Sequence, residues 1–318
     1  MKNTVFLNSG KVDFDNQLDY ASLRHVTNIT TYKESSQEEI LERITGQNII
    51  ISKEIPLSRD LIEKFPPSVE LICEAGTGYN NIDLAAAKEK NISVCNIPAY
   101  SSEAVAQLTI AFLLDLSSSL SRQQVMLSQG NYDNFNKHLM VNHVEINKKT
   151  LGVIGAGNIA RQVIKVARAL GMNVLVNSRS PRTWDDPQIQ QVSLDELLKA
   201  SDFVAIHCPL TPDTRHLINK EKLQLMKSTA FIINTARGAI INEGDLIEAL
   251  ENKTIAGAAL DVQDPEPPKA DNPLFSMDNV ILTPHIGWKC SESRQRLMDM
   301  LAENIRCYTK GKPVNVVS

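Results

Sequence analysis

The 318-residue sequence is 42% apolar, has a net charge of -4 at pH 7 and a pI near 5.9. That is chain enough for two domain cores, and the acidic balance argues against a nucleic-acid footprint. No run approaches the roughly 18 apolar residues of a membrane span, since residues 108–116 are interrupted by Asp115. Short β-branched runs at 48–52, 69–75 and 92–96 read as strands, with helices expected over 58–65 and 83–90. One long helical stretch follows at about 102–128, then a polar connecting segment at 131–149. Alternation of strands and helices resumes at Thr150 and runs to about His285. A last helix over 292–309 carries Leu297, Met298, Leu301 and Ile305 on one face, and Gly311 and Pro313 stop it. This is the pattern of an α/β protein with parallel sheets.

Residues 1–16 hold no long apolar segment after Lys2, so no signal peptide is expected. Cys73, Cys95, Cys208, Cys290 and Cys307 are scattered, form no zinc-type cluster and read as small core residues in a reducing compartment, so a cytoplasmic location is expected. His138 and His143 lie five apart, off a common helix face, and no metal site is expected.

The segment 150–160 reads as a strand running into Gly155-x-Gly157-x-x-Ala160 and then an amphipathic helix. Ile159, Val163, Ile164, Ala167 and Leu170 are expected to face inward, Gly171 to cap the helix, and a second strand to occupy 173–177. Gly155 suits a tight turn. Gly157 lets the N–H groups of Asn158 and Ile159 approach a pyrophosphate at the helix N-terminus, and Ala160 suits close helix–strand packing. A plain crossover with an incidental glycine turn is the alternative. An acidic residue to bind a ribose 2′-OH is expected about 20 residues on, but Ser178, Arg179 and Ser180 stand there, with Arg182 nearby. A serine and a guanidinium suit a 2′-phosphate, so NADP(H) is favoured over NAD(H). On the other reading Arg179 is solvated and NAD is used.

From Leu71 onward the motifs converge. Residues 76–83 (GTGYNNID), His207-Cys-Pro-Leu-Thr211 with Thr214, Asn234-Thr-Ala-Arg-Gly238, Leu260-Asp-Val262 followed by Glu266-Pro267, and Thr283-Pro-His-Ile-Gly287 resemble the signatures of D-2-hydroxyacid dehydrogenases. The resemblance spans about 48–317, and the tail from Trp288 looks most like hydroxypyruvate/glyoxylate reductases, also called glycerate dehydrogenases. Lys148 stands where that family usually has glycine, and Gln263-Asp264 replace a more usual Phe-Glu pair.

The resemblance implies a Rossmann doubly wound sheet (101–287) inserted into a smaller flavodoxin-like α/β substrate domain (1–100 and 288–318), closure over the substrate, and a homodimer built on the cofactor domain. The implied partner is a small 2-keto or 2-hydroxy acid. Arg237 is expected to hold carboxylate and carbonyl oxygen, His285 to donate the proton, and Glu266 to steady the imidazolium. Gly76, Thr77 and Gly78 are expected to offer N–H groups to the carboxylate, with Lys53 and Trp288 beside the substrate or, alternatively, solvated and packed. Asp261, Val105, Thr109, Thr235 and Ala236 are expected around the nicotinamide, and His207 and Pro209 to shape the cofactor cleft. A non-catalytic dinucleotide sensor on the same fold is the competing class, and phosphoglycerate dehydrogenase the nearest rival enzyme.

Overall fold

In the computed structural model, which describes residues 1–318, the β-branched runs assemble into two separate all-parallel sheets. Contacts divide the chain into two units, Met1–Ser101 with Trp288–Ser318, and Ser102–Gly287.

The first unit holds β1 (Asn3–Phe6), β2 (Asn28–Thr31), β3 (Ile49–Ser52), β4 (Leu71–Glu74) and β5 (Ser93–Cys95) in the order β2-β1-β3-β4-β5. A 2-1-3-4-5 order is that of flavodoxin-like sheets. Side chains alternate across it, as a sheet covered on both faces requires. Val5, Ile50, Ile72 and Val94 enter one core, while Phe6, Ile49, Ile51, Leu71 and Cys73 enter the other. The second core is completed by Leu297, Met298, Leu301 and Ile305 of the helix Ser291–Thr309. The chain's last residues run antiparallel along β5, through the Cys95–Val316 bridge and a Val317 N–H bond to Val94 O.

The second unit holds β6 (Thr150–Ile154), β7 (Asn173–Asn177), β8 (Ile189–Gln191), β9 (Phe203–Ile206), β10 (Phe231–Asn234), β11 (Gly257–Leu260) and β12 (Val280–Leu282). Their order, β12-β11-β10-β9-β6-β7-β8, is the Rossmann order with a seventh strand added at one edge. The strand order reverses between β6 and β9, which marks the ligand crevice of such sheets.

Several elements differ from the sequence reading. The stretch 102–128 is two helices, Ser102–Ser118 and Leu120–Ser128, bent by 63°. Ser119 between them adopts φ 52, in the left-handed region. Three consecutive serines are weak helix formers, Asp115 accepts from Ser121 N–H at 2.8 Å, and Ser119 Oγ donates to Asn142 O at 2.7 Å. Together these end one helix and start the next. No single helix is long and apolar enough to cross a membrane.

Leu170, expected inward, is 37% exposed, because the helix Asn158–Ala169 has ended and Gly171 turns the chain at φ 80. The helix expected over 58–65 covers only Arg59–Ile62. The cysteines are not uniformly core: Cys73 and Cys95 are buried, Cys208 and Cys307 are half-buried, and Cys290 is exposed just before the last helix.

Candidate active site

In the second unit, the turn after β6 is shaped by contact with the turn after β9. Gly155 adopts φ 106, and a Cβ there would lie 2.5 Å from His207 O. Only glycine fits both that conformation and that approach. Gly157 is different: a Cβ on it would meet nothing within 4 Å. It caps the 12-residue helix Asn158–Ala169, and no side chain bonds to that cap. Asn158 is exposed and Ile159 half-buried at the first turn. Open space above a bare helix N-terminus fits a pyrophosphate, and this is the observation that fits a dinucleotide to the chain.

Beyond β7, Ser178 Oγ donates to Ser180 O at 2.8 Å, and the Gln191 amide donates to the carbonyls of Ser178 and Ser180. This tight turn leaves the Arg179 guanidinium exposed with no carboxylate partner. Burial pushes the Cys208 thiol up to about 11, with the Arg179 charge acting against it. The His207 Nε2 is buried without a hydrogen-bond partner, and burial lowers the ring's pKa to about 4. Pro209 is exposed, and its carbonyl accepts from Thr214 Oγ1 at 2.7 Å.

Arg237 follows β10 and is held by Asn234. The buried Asn234 amide donates to Arg237 O at 2.9 Å and accepts from Ala236 N–H at 3.0 Å. The Arg237 guanidinium makes one bond, to Ala236 O at 2.7 Å, leaving the rest of its fork open. At Gly238 a Cβ would fall 1.9 Å from Gln263 O, so the segment leading to Glu266 packs on this backbone. Thr235 and Thr109 share a hydroxyl contact at 3.1 Å, and Thr109 Oγ1 also donates to Val105 O.

His285 Nδ1 lies 3.3 Å from both carboxylate oxygens of Glu266. The distance is long for a formed bond, as is common before substrate binds. His285 adopts φ 51, a conformation that costs about 1 kcal/mol or more in a non-glycine residue. The buried carboxylate of Asp261, just past β11, holds it there. Asp261 accepts from Thr283 Oγ1 (2.5 Å), Ile286 N–H (2.8 Å) and Gly287 N–H (2.9 Å), and its carbonyl accepts from His285 N–H (2.9 Å). Asp261 therefore orients the histidine loop, a role the sequence reading did not assign to it.

In the first unit, Lys53 follows β3 and is 4% exposed, so it is not a solvated lysine. Its Nζ lies 2.6 Å from Glu54 Oε1 and 4.4 Å from the centroid of Trp288. Trp288 is buried, with Tyr100 edge-on at 6.5 Å. The backbone N–H groups of Gly76, Thr77 and Gly78 donate to no protein acceptor, while Thr77 Oγ1 donates to Ile97 O. Sequence reasoning missed Glu54, Glu74, Asn8 and Asn81. Glu74 is fully buried and accepts from Ser52 Oγ (2.9 Å), Glu54 N–H (2.8 Å) and Asn81 Nδ2 (3.1 Å). Burial raises its pKa, with the Lys53 charge pulling it back. A carboxylate ending a buried strand was the available signal.

Residues 110–287 match the family described as D-isomer specific 2-hydroxyacid dehydrogenase, NAD binding domain. A hydroxypyruvate reductase from Blautia hydrogenotrophica is 38% identical over 307 residues, 95% of each chain. A D-3-phosphoglycerate dehydrogenase from Methanocaldococcus jannaschii is 40% identical over 87% of this chain, which spans about half (52%) of that protein. Among solved structures, an acyclic imino acid reductase in complex with NADPH and D-Arg superposes with a TM-score of 0.86 at 31% identity, covering all of both chains. The chain belongs to the D-isomer specific 2-hydroxyacid dehydrogenase family.

Proposed function

We propose that this protein reduces hydroxypyruvate or glyoxylate to the D-2-hydroxy acid using NADPH, with His285 as proton donor. The observation that carries the reading is the His285–Glu266 pair at 3.3 Å, held in a strained loop by Asp261. A non-catalytic sensor has no use for such a loop. The nicotinamide, when bound, supplies the hydride to C2. Arg237 holds the carboxylate and the carbonyl oxygen, and the N–H groups of Gly76, Thr77 and Gly78 add donors to the carboxylate. Glu266 accepts the Nδ1–H in a hydrogen bond and fixes the ring's orientation, so that Nε2 faces the substrate as the proton donor. As the C=O π bond breaks, that proton goes to the oxygen. Val105, Thr109, Thr235, Ala236 and Asp261 border the nicotinamide side of this arrangement.

The turn Ser178, Arg179, Ser180 supports NADP(H): it offers hydroxyls and an unpaired guanidinium, and no carboxylate to repel a 2′-phosphate. A cytoplasmic homodimer completes the proposal. The support for the dimer is the exposed apolar set Leu120 (57%), Val125 (48%), Phe135 (74%), Leu139 (49%) and Met140 (50%), all on the second unit. Light scattering on the purified protein reads the oligomer directly.

The test is a panel of glyoxylate, hydroxypyruvate, pyruvate and phosphohydroxypyruvate with both cofactors. NADPH with hydroxypyruvate or glyoxylate is expected to give the highest kcat/KM. Highest activity on phosphohydroxypyruvate would install the rival instead, and no turnover of any keto acid would favour the sensor. Arg179→Ala should weaken NADPH much more than NADH, and equal losses would refute the 2′-phosphate role.

A further inference from the structure

The first unit places a buried ammonium and a buried carboxylate beside one glycine, with a second carboxylate, that of Glu54, on the ammonium. A Cβ on Gly76 would sit 3.1 Å from Lys53 Nζ and 3.8 Å from Glu74 Oε1. The ammonium is therefore immediate to the 76–78 loop, whose N–H groups are unclaimed. The backbone carrying it is fixed from several sides. The Asn8 amide donates to Lys53 O at 2.6 Å and accepts from Lys53 N–H at 2.9 Å. Glu54 stands at φ 58, and its N–H is taken by Glu74. Asn81 ties Glu74 to Ile55 O. Such fixing of a strained residue and of a buried ammonium paired with an exposed carboxylate is more than packing requires.

We propose that Lys53 and Glu54 form the subsite for the substrate's C3 hydroxyl, selecting 2-keto acids with a neutral hydroxymethyl group. This rests on the reading that the 76–78 loop binds the substrate carboxylate. An ammonium has three donors, of which Glu54 takes one and the Trp288 face covers another side, leaving a donor for a ligand. A hydroxyl both accepts and donates, so it complements a donor and an acceptor 2.6 Å apart. A methyl group offers neither. A phosphate would gain the ammonium but face the Glu54 and Glu74 carboxylates, which repel it. The face of Trp288, 4.4 Å from Nζ, closes one side of the ammonium.

The test compares kcat/KM across substrates that differ at C3, in the full-length protein. In Lys53→Met the ratio for hydroxypyruvate over glyoxylate should fall about 30-fold, the loss of a charged hydrogen bond. In Glu54→Gln the ratio for phosphohydroxypyruvate over hydroxypyruvate should rise about tenfold, as one repelling charge is removed. NADPH binding by fluorescence checks the fold of each variant, and should Lys53→Met not fold, Glu54→Gln decides alone. Unchanged ratios in an active enzyme would overturn the subsite while leaving the proposed reaction standing. An inactive wild type would overturn the reaction first, and this inference with it.

Discussion

The corner around His285 and the corner around Lys53 are built the same way and differ in how far they hide the side chain they serve. Each follows a parallel strand. Each forces a non-glycine residue to positive φ, His285 at 51° and Glu54 at 58°. In each, a buried carboxylate on the adjacent strand, Asp261 or Glu74, accepts backbone N–H groups of the strained loop. The asparagine clamp recurs as well, Asn234 on Arg237 and Asn8 on Lys53. Yet the His285 side chain is 26% exposed, whereas Lys53 is 5% exposed. On the proposed reading, His285 trades a proton each turnover and must reach solvent to reload. A group that only recognises a substituent works best dry and fixed, where an unmade hydrogen bond is costly.

The sharpest way to break the comparison is His285→Ala. Turnover should drop about 10²–10⁴-fold while NADPH binding, read by fluorescence, survives. Unchanged turnover would end its role as acid. Gly238→Ala drives a methyl into Gln263 O and so displaces the segment holding Glu266. A fall in kcat of about 100-fold is expected, the cost of an ångström-scale misplacement, and a wild-type kcat would show that the segment does not set Glu266.

His207, which lies in neither corner, gives the fold a pH dependence of its own. Its pKa is lowered by burial from its ordinary 6.5 to about 4, so the unfolded chain binds the extra proton between those values. Stability from this group is present above pH 6.5 and is lost as pH falls toward 4, by about 3 kcal/mol. Urea unfolding of wild type against His207→Leu at pH 7 and pH 4.5 measures it; parallel losses in both would count against the buried neutral ring. Asp261→Asn keeps the shape but turns an amide N–H toward one of the loop's donors. A loss of about 2 kcal/mol in stability is expected, with kcat reduced alongside because the His285 loop relaxes; an unaltered Tm would mean the carboxylate's three bonds matter little. The smallest effect is expected at Lys148, which adopts φ 63 just before β6. Lys148→Gly should raise stability by up to about 1 kcal/mol, and a lower Tm would show that the lysine has compensating contacts.

How much of this could be read in advance depended on whether a residue's job is local. The helix behind Gly155 obeys short-range rules, and so does the face of Leu297, Met298, Leu301 and Ile305; the Gly155 turn carries a local glycine pattern although His207 sets its tightness. Those were legible. Arg237, Glu266 and His285 could be named only because they sit in a resemblance; alone, each is an ordinary polar residue after a strand. β1 and β2 went unread because β1 is only four residues long and opens on a polar asparagine, and β2 is an exposed, polar edge. The helix break at Ser119 rests on Asn142, 23 residues away. Glu74 was invisible as a functional residue because its meaning lies in partners 20 and 22 residues upstream. Period and propensity say nothing about such pairings.

The helix Ser291–Thr309 has a consequence during synthesis. It completes a core that Phe6, Ile49, Ile51 and Leu71 begin, but the whole second unit is translated in between. At 5–20 residues per second, that sheet face waits roughly 10–40 s on the ribosome covered only in part, by Val12, Leu23 and Tyr100. The second unit, whose residues are contiguous, can fold within that interval, and the first unit cannot close before it. In a crowded cell the vulnerable species is thus a half-clad sheet awaiting its own last helix, and a holdase chaperone should capture nascent chains stalled before Ser291 more readily than those released at full length.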